Sequence, residues 1–134
     1  MKRILLLIFT VFAILSTPAF AALGNSESEI EELFGKPDNE GFPDKNGVIT
    51  NLYHKGDYKI LVQFLRHLSV AESYTRTDQA ELSEREIDAF LEGSSNERTW
   101  KKDPDKQVWE REDQKGKAWC ETLRGRPTLL IQAK

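Results

Sequence analysis

Two short stretches of the chain share one hydrophobic pattern. Ile30, Leu33 and Phe34 recur at i, i+3 and i+4, and so do Ile87, Phe90 and Leu91, the spacing that lines one side of an α-helix. Residues 26–34 align without a gap on residues 83–91. In each copy a serine precedes a glutamate by three positions, Ser26 with Glu29 and Ser83 with Glu86, which predicts a capping box at the helix start. Gly35 or Gly93 follows the stripe and predicts a stop in the left-handed conformation. Leu82 and Ile87 have the spacing of a hydrophobic staple around the second cap.

After each helix the period changes from 3.6 to two. Tyr58, Ile60, Val62 and Phe64 alternate with Lys59, Leu61, Gln63 and Leu65, predicting a strand with one strongly apolar face. Residues 48–54 lead into it through Lys55-Gly56-Asp57, as a hairpin, and a third strand is expected over 69–75. In the second half, strands are expected over 107–112, 117–123 and 128–133, with turns at Gln114-Lys115-Gly116 and Arg124-Gly125-Arg126. Residues 36–47 and 94–106 read as polar connections. The expected fold is α+β: two αβββ-like units over 26–78 and 83–134, arising by internal duplication. The two short helices are expected to pack on one face of an antiparallel sheet.

The N-terminus follows a third pattern. Met1-Lys2-Arg3 is basic, residues 4–16 are almost unbroken apolar sequence, and Ala19-Phe20-Ala21 is small-x-small. This reads as a secretory signal peptide over 1–21, leaving a single domain over 22–134 in the periplasm or outside the cell. The apolar run is shorter than the roughly 20 residues of a spanning helix, and Pro18 interrupts it. No transmembrane helix is expected in the mature chain.

Charge and composition exclude more than they assign. Without Lys2 and Arg3 the chain keeps 17 Lys+Arg against 22 Asp+Glu, a formal charge of −5. Such an acidic chain lacks the basic face that phosphate neutralisation needs, so no nucleic-acid partner is expected. Lys101-Lys102 and Arg124-Gly125-Arg126 read as turn or solvated charges. Cys120 is the single cysteine, so no internal disulfide is available, and it reads as a small buried hydrophobe. His54 and His67 are isolated and lack zinc-ligand spacing, so no metal site is expected. Nor does any Gly-rich phosphate loop or nucleophile elbow occur. No catalytic residue and no cofactor are expected; a small enzyme that pairs Cys120 with a histidine is the least favoured reading. The carboxylates Glu29, Glu31, Glu32, Glu84, Glu86 and Asp88 read as dipole-favourable, solvated residues early in two helices. Trp100 and Trp109 read as core. Trp119 shares a strand face with Lys117 and Glu121, which places it on the helix-free side of the sheet as a possible partner-binding residue.

At Ile30 to Asp38 the sequence is IEELFGKPD, an amphipathic turn with a Gly-x-Pro stop ahead of a hairpin. It resembles the repeat unit of the SmpA/OmlA outer-membrane-assembly lipoproteins and of the β-lactamase-inhibitor-like proteins, both of which set helices on a small antiparallel sheet. The second copy matches in its helix only, because Gly93 lacks the proline. The chain also lacks the N-terminal lipid-bearing Cys of the first family and the disulfides of the second. The resemblance implies an architecture and a protein-binding theme, and carries over no functional residue. The expected function is a non-enzymatic exported binding module of the bacterial envelope or periplasm with a protein partner. The alternative is an inhibitor of a secreted or periplasmic hydrolase.

Overall fold

The structure, a computed structural model, describes residues 23–134; the signal segment expected over 1–21 lies outside them. Both capping boxes form. Ser26 Oγ accepts from Glu29 N–H while Glu29 Oε1 accepts from Ser26 N–H, and Ser83 and Glu86 repeat the pair at 3.1 and 2.8 Å. They open helices α1 (Glu27–Phe34) and α2 (Glu84–Gly93). The two stops differ. Gly35 leaves α1 at φ +86°, a region that L side chains avoid, and its N–H returns to Glu31 O. Gly93 does not take the left-handed conformation; it stays inside α2, and the chain leaves through Ser94 at φ −105°.

Among the described residues the chain forms seven strands: β1 (Ile49–Lys55), β2 (Tyr58–Leu65), β3 (Leu68–Arg76), β4 (Trp100–Lys102), β5 (Val108–Arg111), β6 (Gly116–Leu123) and β7 (Arg126–Ala133). They make one antiparallel sheet in the order β1-β2-β3-β7-β6-β5-β4. The mixed α+β class is as expected, with sheet predominating. Its centre is the β3–β7 pair, Tyr74 opposite Leu129 and Glu72 opposite Ile131. Two-residue turns with positive φ, Arg66-His67 and Arg124-Gly125, close β2–β3 and β6–β7 in the manner of type I′ hairpins. Arg126 therefore belongs to β7 and not to the turn.

β4 lies in what reads as a polar connection. Three residues, two of them lysines, give no alternation to detect, and lysine on an edge strand discourages further pairing. In the first half, a bridge between Asn39 and Leu52 extends the sheet beyond β1 in a similar way.

Alternation sorts the sheet into a covered and an open face. Tyr53, Ile60, Val62, Phe64, Tyr74, Trp109, Ala118, Leu129 and Ile131 point one way and form one core with Ile30 and Phe34 of α1 and Ile87, Phe90 and Leu91 of α2. Burying each large apolar side chain contributes about 1.5–3 kcal/mol. Phe90 stacks on Tyr74 with centroids 4.1 Å apart, and Tyr58 meets Phe90 edge-on at 5.1 Å. The expected core residue Trp109 is buried, whereas Trp100 is half-buried, and its Nε1–H donates to Leu91 O at 2.7 Å.

Candidate binding face

Residues of the opposite parity form a face that no described helix covers, the helix-free face. Reading across paired strands, Trp119 of β6 stands opposite Leu130 of β7, Leu130 opposite Ser73 of β3, and Ser73 opposite Leu61 of β2. This row and its neighbours line a groove of about 290 Å³. Trp119 is half-buried, while Leu61 and Leu123 are 38% and 40% exposed. Two neighbours on the same strand fix the indole: Lys117 Nζ lies 5.0 Å from the ring centroid, and Trp119 Nε1–H donates to Glu121 Oε1 at 2.7 Å. The ring's polar edge is thereby satisfied, Lys117 sits over one face, and the other face remains for apolar contact.

The groove widens toward the β6–β7 turn into a second hollow of about 630 Å³ that shares Leu61, Ser73 and Leu123 with the first. Lys59, Arg124 and Arg126 line it. None of the three makes an ion pair with another described residue. On an acidic chain, three cations at one end of an apolar trough are a local reversal of charge.

Cys120 faces the other way, opposite Leu129 on the core side. It is half-buried, and burial pushes its thiol above the usual range, so it holds its proton more firmly than a reactive thiol does. The hollow it lines includes Glu81, Leu82, Ile87 and Gln107 but no histidine. His54 is on β1, four strands or about 19 Å away at the usual strand spacing, and on the opposite face, with its Nδ1 against Asp38 Oδ2. His67 sits in the β2–β3 turn, where Nδ1 meets Glu27 Oε1 at 3.2 Å. The Cys–His pair weighed from the sequence is not assembled. No cluster of three or more His, Cys, Asp or Glu suited to a metal ion occurs among the described residues, and no described helix is long and apolar enough to cross a membrane.

Two polar sites escape a linear reading. Glu86, expected as a solvated helix-start residue, is only 17% exposed; its Oε2 accepts from Arg76 Nη1 at 2.6 Å and from the Tyr58 hydroxyl at 2.5 Å. Burial alone would raise its pKa, but donors from Ser83, Tyr58 and Arg76 outweigh that and bring it down to about 2. The Tyr58 hydroxyl is pushed up to about 12 by burial and by the neighbouring carboxylate. The second site is Glu72, buried on the core face of β3, which accepts from the Tyr74 hydroxyl at 2.8 Å and from Ser94 Oγ. Arg111 Nη1–H donates to Ser94 O at 2.9 Å, so the end of α2 is tied to the sheet through this group. The inward parity of Glu72, between Val70 and Tyr74, was the available signal.

No protein-family model matches the chain, and no curated protein matches it. Among solved structures it is similar to the crystal structure of a cysteine-rich secretory protein from Staphylococcus aureus subsp. aureus Mu50. The identity is 12% over 84% of this chain and 44% of that one, with a TM-score of 0.46. The chain thus spans less than half the length of that structure, and the likeness carries no functional argument.

Proposed function

We propose that the mature chain is an exported, non-enzymatic binding module of the bacterial envelope or periplasm, and that it receives a protein partner on the helix-free face of its sheet. The observation that carries this reading is the groove around Trp119. An aromatic ring with its polar edge satisfied stands among exposed leucines on a sheet face that no described helix covers. Aromatic anchors in apolar hollows dominate the energetics of protein interfaces. Export is supported by the basic, apolar and small-x-small order of residues 1–21, and mass spectrometry of the mature protein should find Ala22 at its N-terminus.

The face is built, in this reading, where two related units meet. Support comes from the matched capping boxes and from a strand order that runs β1-β2-β3 up to the central seam and β7-β6-β5 away from it. The Asn39–Leu52 bridge, in the place that β4 takes beside β5, points the same way.

A photo-crosslinking residue at Leu61, on the open face, should trap a defined envelope protein, whereas the same residue at Glu31, on the outer side of α1, should not. Trapping from Glu31 and not from Leu61 would reject the reading. If the trapped protein is a hydrolase that loses activity when saturated with this chain, the module is an inhibitor.

A further inference from the structure

We infer that the open face recognises an extended peptide segment of a partner protein in which an apolar side chain is followed by carboxylates; this rests on the helix-free face being the binding face. Three features of the face specify that chemistry. The apolar end, made by Trp119, Leu130 and Leu61, is sized for a side chain and not for a folded surface. The other end presents Lys59, Arg124 and Arg126, none of them ion-paired with a described carboxylate, while Glu121 on the same face of β6 is engaged by Trp119 Nε1–H. On a chain of net negative charge, such a patch selects anions and repels nothing it needs to hold.

The third feature separates a peptide from an acyl-chain anion, which an apolar trough with a cationic end also suits. Gln63, Gln132, Ser73 and Thr75 are interleaved with the apolar residues along the groove. The Gln132 and Ser73 side chains make no hydrogen bond with another described residue. Covering the Gln132 amide and the Ser73 hydroxyl with a hydrocarbon tail would strip their water and return nothing. A peptide backbone offers an N–H or C=O at each residue, and so provides partners for them. The alternation of apolar and hydrogen-bonding positions thus matches a peptide laid along the groove, its apolar residue beside Trp119 and its acidic residues toward the β6–β7 turn.

The test uses the mature chain with synthetic peptides: one with a phenylalanine followed by aspartates and glutamates, one with those acids replaced by lysines, and one with the phenylalanine replaced by serine. Sodium dodecanoate serves as the acyl-anion probe. The acidic peptide should bind at least about tenfold more tightly than either control, and its affinity should fall as salt rises. Amide shifts should map to Leu61, Ser73, Trp119 and Leu130. Arg126→Glu should weaken binding by about tenfold or more. Because Arg126 lies beside an exposed turn, this variant keeps the test decisive even if Trp119→Ala unfolds the domain. Equal binding of the acidic and basic peptides, indifference to Arg126→Glu, or tighter binding of dodecanoate than of the acidic peptide would each overturn the inference. The location of the shifts separates the two levels of failure. Shifts on the open face without charge discrimination defeat only the inference, whereas shifts confined to α1, α2 or the β1 edge defeat the binding-face reading as well.

Discussion

The two helices begin with the same capping box and are held by different means. α1 carries its cap in the open: Glu29 is exposed and, among the described residues, its side chain bonds only within the box, and the far end of the helix is met by Lys55 Nζ on Leu33 O. In α2 the cap glutamate faces the sheet, where Arg76 and Tyr58 grip its second oxygen. The far end is tied down by Trp100 on Leu91 O and by the Ser94–Glu72–Arg111 group. The same capping box and apolar spacing therefore yield a helix fastened mainly by apolar packing and another fastened also by charge. What lies opposite the third residue of the helix decides which.

The largest difference is expected in the core. Phe90→Ala removes a ring stacked on Tyr74 and met by Tyr58, and should cost about 3–5 kcal/mol. Phe34→Ala empties a site at the last turn of α1, and urea unfolding should place it in the lower half of that range. Equal losses would remove the asymmetry between the helices.

Glu86→Gln should cost about 1.5–3 kcal/mol because it takes the charge from a hydrogen-bonded group, whereas Glu29→Gln, at the exposed cap, should stay below about 1 kcal/mol. pH sharpens the contrast. The Glu86 carboxyl is near pKa 2 when folded and about 4.3 when unfolded. Its stabilisation is complete above the unfolded value, declines as pH drops through that interval, and is gone below the folded one. Urea midpoints should therefore fall between about pH 5 and pH 2, and the fall should be shallower in Glu86→Gln.

The stops should respond differently. Gly35→Ala forces a side chain into positive φ and should cost about 1–2 kcal/mol. Gly93→Ala, within the helix, should leave thermal stability unchanged or raise it by up to about 1 kcal/mol. The smallest contrast lies at the serines. Each Ser→Ala should cost about 1 kcal/mol, with Ser83 the larger because its Oγ holds the N–H of Glu86, the residue whose carboxylate Arg76 grips.

The helices and most strands were legible because their signals are local. A cap three residues from its glutamate and an apolar stripe need no tertiary information, and the alternation through Ile60, Val62 and Phe64 fixes a face. Strand parity likewise placed Trp119 opposite the core. The remainder depends on partners distant in sequence. β4 is too short to show a period, and its identity comes from the pairing of Trp100 with Arg111. Arg124 and Arg126 read as turn charges until the sheet brings Lys59 of β2 beside them. Glu86 looked solvated because nothing nearby in the chain announces that Arg76 reaches it.

The seam between β3 and β7 also governs how the molecule is assembled. Residues 71–75, paired with β2 on one side, find their other sheet neighbour only in residues 128–132, so until that ribbon arrives the first meander keeps a bare backbone edge. Such long-range pairing is slow, and an uncovered edge invites other chains. A translation product that stops short of β7 would therefore be sticky rather than merely incomplete, and the last strand acts as the latch that makes the molecule safe at high concentration.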